Sequence, residues 1–347
     1  MGAAIPLRVE HVAPMDRRGR ALRDLRISVL DRCNFRCPYC MPEERYPRDH
    51  EFLSKAERLR FEEIERLARV FAGLGVHKLR LTGGEPLLRR DLPELVRRLA
   101  RIPGIDDIAL TTNGSLLAAH AGALREAGLT RITLSLDTLD PATFHRMSGG
   151  RGDVAQVLEA IAAAERAGFA RMKINCVVMR GTNDAQVLDL LAHFRGSGHI
   201  VRFIEYMDVG TCNDWRGSLV VPGAELRART HARWPLVELP PNYAGEVARR
   251  HAFADGGGEV GFIDSVSAPF CGDCTRARLS ADGRLYTCLF AASGHDLRGP
   301  LRAGIDDAEL ARLVTAVWSA RDDRYSELRG ADPGAMREHV EMYAIGG

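Results

Sequence analysis

What the 347-residue chain lacks removes several classes of function at once. No apolar run approaches the ~20 residues that a membrane-spanning helix requires, so no membrane association is expected. The opening stretch MGAAIPLRVEHVAPMDRRGR has no uninterrupted apolar core of the kind a secretory leader needs. Gly2 matches the start of a myristoylation signal, but Pro6 stands where Ser or Thr is required. A cytoplasmic location is therefore the expectation. Net charge is almost absent: 48 basic residues against 46 acidic ones leave +2, which provides no general nucleic-acid-binding surface. Lysine is scarce and arginine carries most of the positive charge, a bias we read as compositional. Low-complexity segments are missing, and so is any internal repeat beyond a βα unit.

What is present is a soluble globular composition, 46% hydrophobic and 27% charged, long enough to bury a substantial core. Between residues 25 and 207 short apolar strands alternate with amphipathic helices. The strands are LRISVL (25–30), VHKLRLT (76–82), DDIALTT (106–112), RITLSLD (131–137), RMKINCVVM (171–179) and IVRFIEYM (200–207). Six βα units predict an α/β fold, a parallel sheet curling into an incomplete (βα)6 TIM-like barrel. Past residue 210 the alternation stops, and DGGGEVGFID reads as a turn feeding a strand. A last helix, AELARLVTAVWSARDD, precedes a polar tail ending in Gly346 and Gly347. The expected organisation is an N-terminal extension (1–24), the partial barrel (25–210) and a C-terminal extension (211–347) covering its open side.

Strands buried on both faces should be continuously apolar. Several are not. Arg80 and Thr82 alternate with Leu79 and Leu81, Thr133, Ser135 and Asp137 with Ile132, Leu134 and Leu136, and Lys173 and Asn175 flank Ile174. Helices should cover the apolar face, which turns the polar face inward. Buried cations need an anionic partner, so the expectation is a polar ligand chamber, against the alternative of a solvated face or internal ion pairs. Its mouth should lie at the C-terminal ends of the strands.

Six of the eight cysteines form two groups, Cys33/Cys37/Cys40 and Cys271/Cys274/Cys288, each one thiol short of a closed four-ligand site. Such groups suit zinc, with His50 or His295 as a fourth ligand, or a cubane iron–sulfur cluster with one iron open. Of the other two, Cys176 reads as a core thiol in an apolar strand, and Cys212 lies in a polar loop without an evident role.

Tyr39 precedes the last cysteine of the C-x3-C-x2-C group, and GGEP (Gly83–Pro86) follows the second strand. With the group placed after the first strand, this combination resembles the radical S-adenosylmethionine superfamily. CGDCTRARLSADGRLYTCL, LRISVLDRCNFRCPYC, KLRLTGGEPLLRRDL, KINCV, RFIEYM and the terminal Gly-Gly extend the likeness over almost the whole chain, to the GTP 3′,8-cyclase family. The resemblance implies two [4Fe–4S] clusters, one per cysteine group, with S-adenosylmethionine at the first and the guanine of GTP at the second. It implies S-adenosylmethionine contacts from Tyr39, Gly84, Ser135 and Met207. It implies GTP contacts from Arg26, Arg80, Thr111, Lys173, Arg276 and Arg278, with Arg202 a further candidate. Arg276, Arg278, Gly346 and Gly347 would carry catalytic roles, the diglycine reaching the active site. Arg and Lys are what a triphosphate requires, as bidentate forks and a point charge.

The implied reaction converts GTP to (8S)-3′,8-cyclo-7,8-dihydroguanosine 5′-triphosphate, the first step of molybdenum cofactor (molybdopterin) biosynthesis. A 5′-deoxyadenosyl radical takes the C3′ hydrogen, and C3′ then attacks guanine C8. Implied partners are GTP, an electron donor such as flavodoxin or ferredoxin, and a downstream cyclic pyranopterin monophosphate synthase, with the chain a monomer or homodimer. Two alternatives stay open: a peptide-modifying radical enzyme with an auxiliary cluster, and a zinc-stabilised RNA- or protein-binding module.

Overall fold

A computed structural model describes residues 13–329 and 339–346 of the chain. The first six strands are β1 (Asp24–Ser28), β2 (Lys78–Thr82), β3 (Asp107–Thr112), β4 (Arg131–Ser135), β5 (Lys173–Val178) and β6 (Ile200–Glu205). Between them run α1 (Phe61–Gly73), α2 (Leu92–Ala100), α3 (Leu117–Glu126), α4 (Pro141–Met147), α5 (Val154–Arg166) and α6 (Val187–Phe194). The helices form because their apolar residues recur at helical spacing. In α2, Leu92, Leu95, Val96 and Leu99 make one buried stripe. Each such side chain taken from water contributes about 1.5–3 kcal/mol before entropy is counted.

The C-terminal region adds α7 (Gly223–Arg233), β7 (Leu236–Leu239), β8 (Arg249–Phe253), β9 (Glu259–Ile263), β10 (Arg276–Leu279), β11 (Arg284–Tyr286) and β12 (His295–Asp296). Four helices follow: α8 (Arg298–Arg302), α9 (Asp307–Ser319), α10 (Tyr325–Leu328) and α11 (Met342–Ile345). Among the described residues all twelve strands belong to one sheet, ordered β12-β11-β10-β1-β2-β3-β4-β5-β6-β9-β8-β7. From β10 through β1–β6 to β9 the pairing is parallel, with antiparallel hairpin strands outside at each end.

The incomplete barrel is thus present, and the extension does more than cover it. It donates one parallel strand to each edge, β10 beside β1 and β9 beside β6. Among the described residues β9 and β10 do not pair, so the barrel stays open between them, and residues 264–275 link the two edges. The register sorts the faces. Leu25, Leu79 and Ile108 share one row on the outer face and are buried in the main core under the helices. Arg278, Arg26 and Arg80 share a row on the inner face. Among the described residues no helix is long and apolar enough to cross a membrane.

Candidate active site

The first cysteine group lies in the loop that leaves β1. Cys33, Cys37 and Cys40 are free and partly buried. Burial and mutual repulsion push the Cys37 thiol well above its ordinary pKa, and burial with the Glu85 charge pushes Cys33 up to about 12. Three such thiols ionise only if a cationic core compensates them. Tyr39 is buried, and its hydroxyl donates to Asp137 Oδ2 at 2.7 Å, while Asp137 Oδ1 accepts from the Val177 amide at 2.8 Å. Burial raises the Asp137 carboxyl to about 6 despite those two bonds.

The GGEP loop packs backbone to backbone on this cysteine loop. The Gly84 amide donates to the Leu30 carbonyl at 2.7 Å and the Glu85 amide to the Arg32 carbonyl at 2.8 Å. A Cβ on Gly84 would overlap the Arg32 carbonyl, so the close approach requires glycine there. Glu85 is buried and accepts from the Leu87 and Asn113 amides and the Thr112 hydroxyl, at 3.0, 2.8 and 2.7 Å. Burial outweighs those bonds and lifts its carboxyl to about 7. Ser135 ends β4 opposite Asn175 of β5, facing inward.

Deeper in the barrel lies a cavity of about 1330 Å3 of empty space, part of it open to solvent, bordered by Arg26, Arg80, Thr111, Arg202, Arg276 and Arg278. Met207 and all three cysteines of the second group line the same cavity. Among the described residues none of these five arginines forms an ion pair with a carboxylate. Arg80 donates to the hydroxyls of Thr111 and Thr133 at 2.9 and 3.1 Å, and Arg202 grips Asn175 Oδ1 at 3.0 and 2.6 Å. Gly261 faces Arg202 across the β6–β9 pairing, where a Cβ would crowd its Cγ at 3.2 Å. Burial, then the neighbouring Arg278, Arg80 and Arg276, hold Arg26 well below the ordinary arginine pKa. Burial and Arg80 bring Arg202 to about 9, and burial and Arg276 bring Arg278 to about 10.

Lys173 departs from this grouping. It lines a second cavity with Arg131, Arg171 and Glu259, and burial together with Arg202, Arg131 and Arg80 lowers its ammonium to about 7. The inner-face charge therefore continues past the main cavity.

At the second cysteine group, Cys271, Cys274 and Cys288 are free and partly buried. Burial opposes ionisation of Cys274, but Arg276 and Arg321 outweigh it and bring the thiol to about 6. Burial pushes Cys288 up to about 11, against a bond from the Phe290 amide. Both groups fit thiolate-held cubane clusters. Among the described residues no three Cys, His, Asp or Glu side chains close around a point suited to one metal ion. A cubane seats each thiolate on a separate iron, whereas zinc gathers its ligands around one centre. His50 packs its ring on Tyr46 and Phe52, and His295 sits exposed on edge strand β12.

The chain's end enters the barrel. Arg278 donates to the carbonyls of Gly346 and Ile345, the latter at 3.3 Å. Gly346 has φ +70, and a Cβ there would overlap the Thr82 side chain at the end of β2. Gly347 lies outside the described residues. The tail is latched by Glu341, which accepts from the Thr211 amide and hydroxyl, both at 2.9 Å, and from the Cys212 thiol at 2.9 Å. That gives Cys212 a structural place. Cys176 is fully buried in the outer core.

Several residues of this site do not follow from motif alone. Lys78 shares the inner face with Arg80, lies 3.4 Å from Asp24 and bonds the Tyr243 hydroxyl at 2.7 Å. The period-two pattern that marks Arg80 marks Lys78 equally. Tyr243 comes from the irregular Pro-rich segment, where no periodicity signals it. Glu341 and Cys212 are 129 positions apart, and only the fold joins them.

A family model for the Radical SAM superfamily matches residues 27–194, and one for Molybdenum Cofactor Synthesis C matches residues 199–327. The GTP 3′,8-cyclase of Xanthomonas axonopodis pv. citri (strain 306) is 63% identical over 336 residues, 96% of this chain and 99% of that one. That of Acidothermus cellulolyticus is 56% identical over 330 residues, 94% of this chain and 91% of that one. That of Staphylococcus aureus (strain MRSA252) is 46% identical over 335 residues, 96% of this chain and 98% of that one. Streptococcus suis SuiB, solved bound to precursor peptide SuiA, superposes with a TM-score of 0.61 at 15% identity, covering 90% of this chain and 68% of that one, a likeness of fold alone. The chain belongs to the GTP 3′,8-cyclase family of the radical S-adenosylmethionine superfamily, enzymes of the first step of molybdenum cofactor biosynthesis that work with S-adenosylmethionine and [4Fe–4S] clusters.

Proposed function

We propose that the inner-face arginines are the triphosphate site of a GTP 3′,8-cyclase and that the two cysteine groups hold its clusters. The observation that carries this reading is the set of buried and half-buried guanidiniums that, among the described residues, pair with no carboxylate, in one cavity with Cys271, Cys274 and Cys288. A peptide substrate would leave that charge uncompensated, whereas a triphosphate supplies a matching anion through charge-assisted, bidentate bonds. Peptide modification is therefore not favoured.

In this reading Cys33, Cys37 and Cys40 hold the first cluster, and Tyr39, Gly84, Ser135 and Met207 surround S-adenosylmethionine. When bound, that pair supplies the 5′-deoxyadenosyl radical that takes the ribose 3′ hydrogen. The chain's own residues do the positioning. Arg26, Arg80, Thr111 and Arg202 hold the phosphates, Lys173 adds its charge from the adjoining cavity beside Arg202 and Arg80, and Arg276 and Arg278 extend the positive field to the nucleoside beside the second cluster. Arg278 also fixes the tail, so that Gly346 helps close the chamber against water. The electron comes from a small redox protein such as flavodoxin or ferredoxin, and the product passes to a cyclic pyranopterin monophosphate synthase in the cytoplasm.

The test is anaerobic. Reconstituted protein given GTP, S-adenosylmethionine and reductant should release 5′-deoxyadenosine and the cyclised nucleotide. Turnover of a peptide with GTP untouched would overturn the reading.

A further inference from the structure

Asp16, Arg20 and Arg321 form an ion-pair triad at the wall of the main cavity, to which Arg20 and Arg321 both contribute. Asp16 Oδ2 lies 2.6 Å from Arg20 Nε and 3.1 Å from Arg321 Nη1. The side chains are sealed from solvent, at 0%, 2% and 1% exposure. Desolvation offsets most of the Coulomb gain in such a triad, so packing alone gives little reason for it.

Its hydrogen bonds point to another purpose. Arg20 Nη1 donates to the Cys271 carbonyl and the Asp323 carbonyl, each at 2.7 Å. Arg321 Nη1 donates to the Cys274 carbonyl at 2.7 Å. One guanidinium thus fixes each end of the Cys271–Cys274 turn. The triad is itself held in place: Trp318 Nε1 donates to the Arg20 carbonyl at 3.0 Å, and the Arg321 guanidinium lies 4.6 Å from the Trp318 ring centre. Asp323, about a third exposed, approaches Arg321 Nε at 3.4 Å and is shared with the Thr287 hydroxyl. Arg20 lines the main cavity, and among the described residues its buried Nη2 has no partner. A buried donor left over at a cavity wall is costly unless a ligand accepts from it.

We propose that Arg20 and Arg321 are positioning residues for the second iron–sulfur cluster, holding the Cys271–Cys274 turn and favouring the cluster's reduced, more anionic state, with Arg20 Nη2 as a donor toward it. This rests on Cys271, Cys274 and Cys288 being that cluster's ligands. Cluster potentials respond to nearby charge and to hydrogen bonds at the sulfurs, so the triad's members have opposite effects. The guanidiniums raise the potential and Asp16 lowers it.

The experiment is a potentiometric EPR titration of reconstituted holoenzyme, following the component that responds to GTP, with iron and sulfide counted on the same samples. Arg20→Gln is expected to shift that midpoint negative and Asp16→Asn to shift it positive. Arg20→Lys, which restores the charge, should bring it back toward the unaltered value. The component that responds to S-adenosylmethionine should not move. Unmoved midpoints, or shifts of the same sign in Arg20→Gln and Asp16→Asn, overturn the proposal. If Arg20→Gln does not fold, the positive shift in Asp16→Asn decides alone. About four irons per unaltered chain, in place of about eight, would contradict the ligand reading first and the proposal with it.

Discussion

At the scale of single residues, the site is marked by positive charge that, among the described residues, has no carboxylate partner. Arg26 sits among Arg278, Arg80 and Arg276, and its charge burdens the ligand-free protein. Arg26→Met should therefore leave the ligand-free melting temperature unchanged or raised. The same change should weaken GTP binding ~10–100-fold, the worth of one charge-assisted bond at about 1.5–3 kcal/mol. Calorimetric melting and equilibrium binding check the two halves, and a loss of stability without a loss of affinity would contradict them. Lys173 gives a pH signature. Its folded pKa is about 7 against an ordinary value of 10.5, so between those values the folded chain binds fewer protons than the unfolded chain. Ligand-free stability should therefore rise with pH across that window. In the proposed reading the charged ammonium favours GTP, so GTP binding should weaken as pH rises above 7. Lys173→Met should flatten both contributions, read from melting and binding across pH.

At the scale of elements, the site depends on segments that approach too closely for a side chain, and on a latch. Gly84→Ala would drive a Cβ into the Arg32 carbonyl and separate the GGEP loop from the cysteine loop. It should lower the melting temperature and strip iron from the first group while sparing the second, as counted on reconstituted protein. Glu341→Ala removes three acceptor contacts from Thr211 and Cys212 at the chain's end. We expect the tail to become sensitive to carboxypeptidase and cyclisation to fall at least tenfold, with melting nearly unchanged. Arg26 and Arg278 were reached through the family resemblance, whereas the six βα units and the polar inner faces that carry Arg80 and Lys173 were legible because period two and period 3.6 are properties of sequence. The latch was not, because nothing local joins Glu341 to Cys212. The hold of Arg20 and Arg321 on the second cysteine turn was also invisible, since those bonds run to backbone carbonyls that no side-chain pattern encodes.

At the scale of the molecule, one sheet runs through both family regions. β9 and β10 complete the parallel array at its two edges, so the barrel half exposes two unpaired strands when the C-terminal region is removed. A fragment ending at residue 210 should not melt cooperatively, whereas the full chain should show a single calorimetric transition. This sharing was not readable in sequence, because β10 is only four residues long and half of it is arginine. Its polarity reflects the cavity it lines, which only the assembled barrel reveals. The same sharing brings the second cysteine group into the main cavity, and the central claim is that hydrogen moves from the ribose of GTP to the deoxyadenosyl group. Anaerobic turnover of GTP deuterated at the ribose 3′ position tests it most directly. Deuterium should appear in 5′-deoxyadenosine in step with the cyclised nucleotide. Unlabelled 5′-deoxyadenosine, or its release with GTP left intact, would contradict it.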